Sequence, residues 1–198
     1  LISYNWLKDY VDIKIPAEKL AEAFTMSGLS VASVRKIGSD HIIEIEVTSN
    51  RPDWLSYVGV ARELAAITGA KLKIPEAKDA GGKREEGRGK VKVTIEDKKL
   101  CPRYTARIIR NVKVGPSPAW LKTKIEAMGL RPVNNIVDIT NLCLFETGEP
   151  MHAFDLDKLK GPEIIVRRAK KGERITAIDG AQKALDESAL VIADSQRP

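Results

Sequence analysis

Aromatic side chains are scarce, at 5% of the 198 residues. That argues against a base-stacking platform of the kind RRM and OB surfaces use on single-stranded nucleic acid. Cysteine and histidine are scarcer still, with two of each. Cys101 and Cys143 form no CxxC, and with the histidines far apart in sequence a structural zinc site is not expected. Two isolated thiols suit a reducing compartment. No apolar run approaches the roughly 20 residues that cross a bilayer. The first residues, Leu1-Ile2-Ser3-Tyr4-Asn5-Trp6, lack the basic and long apolar regions of a signal peptide. The expected location is therefore cytoplasmic, with no membrane partner.

What is present is the composition of an ordinary globular protein, 43% hydrophobic and 30% charged. The length allows one large or two small domains with a respectable core. Lysine and arginine outnumber the acids 33 to 27, for a net charge of +6. Two readings of that excess stay open, a polyanionic partner such as RNA and a plainly solvated surface. The chain starts without Met and stops at Gln196-Arg197-Pro198, just past a strand-like run, so a piece of something longer is expected.

Periodicity and punctuation predict the elements. Residues 1–12 alternate weakly around Trp6 and Leu7. Pro16 precedes a short amphipathic helix with Leu20, Ala21, Phe24 and Met26 on its apolar side, stopped by Gly28. Residues 42–47, IIEIEV, predict a half-exposed strand. A turn, TSNRPD, leads into a helix from Trp54 to Thr68 with Leu55, Val58, Ala61, Leu64 and Ala65 at helical spacing, closed by Gly69. Residues 75–90, glycine-rich and charged, predict a linker. Beyond it, strands are predicted at 90–96, 104–109, 163–168, 174–178 (turning at Asp179-Gly180) and 190–193. A helix is predicted from Ser117 as N-cap and Pro118 at the first turn, burying Leu121, Ile125 and Met128 and ending at Gly129. The fold class is α+β: a small N-terminal α+β domain (1–74), the linker, and a mixed α/β, sandwich-like domain (91–198) that the C-terminus cuts short.

Residues 131–155, RPVNNIVDITNLCLFETGEPMHAFD, stand out because Asp138, Thr140 and Asn141 interrupt an apolar run. Buried polar groups need partners, so they brace the backbone or line a pocket. Thr140, Asn141 and His152 together offer a hydroxyl, an amide and an imidazole able to hold a polar substrate and orient a water. A merely structural histidine is the competing reading. Cys143 with His152 as nucleophile and base is disfavoured, since no third residue orients them and a thiol in an apolar run is inert by default. Asn50 and Arg51 before the second helix suit an anion or a partner subunit, or else Asn50 and Asp53 simply cap the turn and helix. Arg103, Arg107 and Arg110, followed by Lys113, make either a basic strand edge for an RNA backbone or ordinary surface charge.

Several stretches, in order, carry a resemblance to a known family. They are ISYNWLKDYVD, EVTSNRPDWLSYVGVARELAAITG, CPRYTARIIRNVKVGPSPAWLKTKIEAMGLRPVNNIVDITN, ETGEPMHAFDLDKL and LVIAD. Together they resemble the bacterial-type phenylalanyl-tRNA synthetase beta subunits. The resemblance implies that the first 70 or so residues are B1-like and that 91–198 begin a B3/B4-like editing region. It implies an alpha subunit that joins phenylalanine to tRNA(Phe) with ATP and Mg2+, and a beta subunit whose editing region hydrolyses tyrosine mistakenly esterified to that tRNA. By motif position it implies Thr140, Asn141 and His152 as the editing residues. The implied partners are the alpha subunit and tRNA(Phe), with no DNA and no cofactor held by this region itself.

Two departures qualify what the resemblance implies. The family's OB-fold insertion in B1 has no room here, since only VRKIGSDH separates the stretch ending at Ser33 from Ile42. The pocket is completed in the family by a glycine-rich segment and an acid beyond the position of Pro198. Half a site is therefore expected, with little activity from this piece alone. A non-enzymatic RNA-binding or subunit-assembly module is the alternative, and a free-standing trans-editing hydrolase is a third.

Overall fold

The computed structural model describes residues 1–76, 91–161, 163–177 and 180–198. Most of the predicted linker, 77–90, and the turn residue Asp179 lie outside them. The fold is α+β, and the chain forms two compact units that interleave in sequence. One contains Leu1–Asp79 and Lys113–Ala153, the other Ala80–Val112 and Phe154–Pro198. The division expected from sequence ran in order, 1–74 and then 91–198. The observed packing instead joins residues 113–153 to the N-terminal segment.

In the first unit, β1 (Ile2–Ser3), β2 (Val31–Ile37) and β3 (Asp40–Ile45) form an antiparallel sheet in the order β1-β3-β2. Ile2 pairs with Ile43, and both side chains are buried. Around this sheet pack α1 (Tyr4–Leu7), α2 (Ala17–Met26), α3 (Tyr57–Thr68), α4 (Ala119–Ala127) and α5 (Asn135–Thr147). The core is aromatic despite the sparse composition. The Trp6 and Tyr57 rings stack with centroids 3.7 Å apart, and Tyr10, Phe24 and Trp54 are buried with them. A few large rings cover the area that many aliphatic side chains would otherwise supply.

Several predicted details change. Met26 is 87% exposed, because it lies about 200° around the helix from buried Phe24. Leu55 is 64% exposed, because residues Pro52–Leu55 form a separate 3-10 turn and α3 starts only at Tyr57. The cap of α3 is neither Asn50 nor Asp53 but Ser56, whose Oγ accepts from Gly59 N at 3.1 Å. The 3-10 turn presses on the helix so closely that a Cβ on Gly59 would sit 1.7 Å from the Asp53 carbonyl oxygen. Ser117 does not cap α4 either. Pro118 occupies the N-cap position, and the Ser117 hydroxyl is turned to Asp138.

In the second unit, β4 (Lys92–Ile95) lies parallel to β5 (Glu163–Arg168), and β8 (Leu190–Ala193) lies antiparallel to β5. A hairpin, β6 (Arg174–Thr176) and β7 (Gln182–Ala184), completes the unit. Arg167 and Glu173 make a two-pronged ion pair there, at 2.8 and 2.7 Å, with side chains only 5% and 12% exposed. The strand predicted at Tyr104–Ile109 does not form. Its β-branched alternation suits a pleat, but no neighbouring strand among the described residues offers it a ladder, and a strand exists only by pairing.

Candidate functional site

Helix α5 carries two of the three predicted site residues, and its ends are set by local chemistry. Asn134 caps it, with Oδ1 accepting from Ile136 N and Val137 N at 3.0 Å each. Gly148 ends it in the left-handed conformation at φ 84°, donating to Leu144 O at 2.8 Å. Asn135 secures the segment before α4: its Oδ1 accepts from Gly115 N and its Nδ2 donates to Lys113 O.

The polar interruption at Asp138 is structural. Its side chain is fully buried, one oxygen accepting from Ser117 Oγ at 2.5 Å and the other from Val133 N at 3.0 Å. The carboxylate thus ties the segment before α4 to the loop between α4 and α5. Leu142 and Phe145 pack on the aromatic core, and Glu146 Oε1 accepts from the buried Tyr10 hydroxyl at 2.6 Å. Asp138, Leu142, Phe145 and Glu146 recur at i, i+4, i+7 and i+8, the spacing of one helical stripe.

Thr140 lies nearly opposite that stripe and Asn141 on its flank, about 100° apart around the axis. Both are half-buried. The Thr140 hydroxyl donates to Val137 O at 2.7 Å, which leaves its lone pairs to accept. His152 follows Gly148 and Pro150 in irregular chain and is exposed. Among the cavities bounded by the described residues of this unit are two of similar size. One, of about 300 Å3, is polar, with Ser117, Lys122, Glu126, Arg131 and Asp138 on its walls. The other, of about 330 Å3, is mostly apolar and bounded by Leu1, Ile45, Trp54, Tyr57, Met128 and Phe145. Neither is lined by Thr140, Asn141 or His152.

The other sequence candidates resolve more sharply. Arg51 is a brace. Its guanidinium meets Asp53 at 2.8 and 3.0 Å and Glu63 at 2.8 Å, and it stacks 3.5 Å over the Trp54 ring. Paired this way, it ties the 3-10 turn to α3 instead of facing an anion. Burial, and then the nearby Glu146 charge, push the half-buried Cys143 thiol above its ordinary range. A thiol held protonated is a poor nucleophile at neutral pH. Arg103, Arg107 and Arg110 are exposed, but on irregular chain and not on a strand edge. Among the described residues no three His, Cys, Asp or Glu side chains are grouped to hold a metal ion, and no helix is long and apolar enough to cross a membrane.

The model of the B3/4 domain matches residues 100–198, half of the chain. The chain belongs to the B3/4 domain family. The matched B3/4 segment contains α4, α5 and all three predicted site residues. The chain is similar to phenylalanine–tRNA ligase beta subunits, so the family read from the motifs is borne out. It is 45% identical over 197 residues to that of Rhodopirellula baltica, covering 98% of this chain and 28% of the relative. It is 50% identical over 159 residues to that of Carboxydothermus hydrogenoformans and 54% over 159 residues to that of Fusobacterium nucleatum. Each of those alignments covers 80% of this chain and 20% of the relative. The chain thus spans 20–28% of the length of these relatives.

Two residues that matter to α5 went unread in the sequence, Tyr10 and Glu146. The signal available was the position of Glu146 eight residues after Asp138, on the same helical face. Nothing local pointed to Tyr10 as its partner.

Proposed function

We propose that the chain acts within a phenylalanine–tRNA ligase beta subunit, in the region that hydrolyses tyrosine wrongly esterified to tRNA(Phe). The observation that carries the reading is the similarity to beta subunits running through the B3/4 match that holds α5. Aminoacylation itself, with its ATP and Mg2+, falls to the alpha subunit. The partners are that subunit and tRNA(Phe), in the cytoplasm. The successive modules 1–74 and 91–198 are kept in this proposal as units of ancestry, in keeping with a family match that starts at residue 100.

The chemistry asks for little. Tyrosine exceeds phenylalanine by one hydroxyl, which an apolar synthetic pocket rejects poorly, whereas a polar second site that requires the hydroxyl rejects phenylalanine well. Ester hydrolysis then needs a placed water and a stabilised oxyanion, not a protein nucleophile. That agrees with the protonated state favoured for Cys143. Thr140 spends its proton on Val137 O and so acts as an acceptor, for a ribose hydroxyl or for the attacking water. His152 holds the same water or ribose from beyond the helix end, and Asn141 braces the wall between them.

The test is Thr140→Ala and His152→Ala in the full-length enzyme. Each should slow deacylation of Tyr-tRNA(Phe) by about tenfold or more, with mischarged product accumulating. Wild-type deacylation in both variants rules the reading out. A second reading, a subunit-assembly module, is favoured by the exposed apolar side chains Val133, Val137 and Ile139 around α5, at 66%, 38% and 44%. In that case Val137→Asp weakens association of the subunits and the two alanine variants edit normally.

A further inference from the structure

We propose that Tyr10 and Glu146 are a positioning pair, which fixes the rotation of α5 and so the aim of the Thr140–Asn141 face. The inference rests on the editing reading above for what that face does.

The argument starts from the stripe of α5. Asp138, Leu142, Phe145 and Glu146 all turn toward the N-terminal core or the α4 loop, so Thr140 must point away from it. Apolar contacts through Leu142 and Phe145 hold the helix against the core, but they are non-directional and tolerate a slide or a roll. The directional contacts sit at the two ends of the stripe. At the N-terminal end Asp138 accepts from Ser117 and Val133. At the C-terminal end Glu146 accepts from Tyr10, whose hydroxyl in turn accepts from Trp6 Nε1 at 3.0 Å. Trp6 is buried and stacked on Tyr57, so the relay is anchored in the aromatic core of the unit. The Tyr57 hydroxyl continues the anchoring, accepting from Ser3 N at 2.7 Å and donating to Met128 Sδ at the end of α4.

Tyr10 is 1% exposed, and its hydroxyl has one proton to give. A charge-assisted bond of 2.6 Å is short and strong, and its geometry leaves Glu146 one place to be. Glu146 is the last residue but one of α5. Holding that end sets the helix rotation at the point where Gly148 redirects the chain toward His152. The same bond therefore governs both parts of the wall.

The experiment uses the full-length beta subunit in complex with its alpha subunit, and compares Tyr10→Phe, Glu146→Leu and Glu146→Gln. Gln keeps an oxygen that accepts from Tyr10, while Leu keeps the bulk and removes the acceptor. Tyr10→Phe and Glu146→Leu should lower kcat for Tyr-tRNA(Phe) deacylation about tenfold with KM and aminoacylation unchanged. Glu146→Gln should stay within about twofold of wild type. Amide hydrogen exchange across residues 138–147 should rise in Glu146→Leu and return in Glu146→Gln. Thr140→Ala serves as the control. If it slows deacylation while Tyr10→Phe and Glu146→Leu do not, the positioning role is overturned and the editing reading stands. If Thr140→Ala has no effect, the editing reading fails, and unchanged exchange in Glu146→Leu then overturns the pair as well.

Discussion

The Tyr10 hydroxyl donates to Glu146 Oε1 at 2.6 Å, joining residues 136 positions apart in sequence. Tyr10 is buried beside Trp6, and burial together with the bond to Glu146 pushes its phenol far above the ordinary tyrosine range. The proton therefore stays on the phenol, which donates it to Glu146. Tyr10→Phe should cost about 2 kcal/mol, because the half-buried, charge-bearing Glu146 loses its donor. Denaturant unfolding of Tyr10→Phe, Glu146→Leu and the double variant measures the coupling. The two losses should fall short of additivity by about 1 kcal/mol or more.

Gly59 is required by packing, not by backbone angle. Gly59→Ala would place a methyl within 1.7 Å of the Asp53 carbonyl oxygen, which is backbone and cannot swing aside. The 3-10 turn must then lift off α3, disturbing Trp54 and the Arg51 brace upon it. A loss of about 3 kcal/mol is expected, read as a lowered denaturation midpoint. Gly38→Ala, at a turn with no neighbour within 4 Å, should lose less.

The Arg167–Glu173 pair makes the second unit acid-sensitive. The Arg167 guanidinium holds the Glu173 carboxyl at about 2, below its ordinary 4.5. A depressed folded-state value means that the unfolded chain takes up the proton first as pH falls. The stabilisation is thus complete above about pH 4.5 and drains away between there and about pH 2. Glu173→Gln should cost roughly 3 kcal/mol at pH 7, because it leaves the buried arginine unpaired. The gap between wild type and variant should close as unfolding is repeated at lower pH. A gap that stays constant from pH 6 to pH 3 contradicts the assignment.

Asp138 should tolerate asparagine better than alanine. Asn keeps an acceptor for Val133 N and offers its amide to the Ser117 hydroxyl, which can rotate to accept. Alanine strands both donors in a buried site. Asp138→Ala should cost about 2–3 kcal/mol and Asp138→Asn about half as much, by thermal or denaturant unfolding.

Local order was legible where start, period and stop agree within a few residues. The helices around Leu20 and Phe24 and around Leu64 and the strands at 163–168 and 190–193 are all of that kind. Each depends on contacts within one or two turns or on a glycine that permits a left-handed angle. The candidate site was legible only as a set of residue types, and the family resemblance supplied their grouping. The caps at Ser56 and Pro118 were misread because several polar residues compete for one helix end, and long-range packing chooses among them. Ser117 was drawn away by Asp138, and Asp53 by Arg51.

By itself the sequence determined the α+β class, the family and the placing of a threonine beside an asparagine within one apolar run. Only the tertiary structure decided that residues 113–153 pack with the N-terminus, that Tyr104–Ile109 finds no ladder, and which side of α5 faces inward. Helical periodicity is a property of neighbours along the chain. The facing of an apolar helix that carries polar residues on both sides depends on which distant donor reaches which carboxylate, and for α5 those donors are Ser117 and Tyr10.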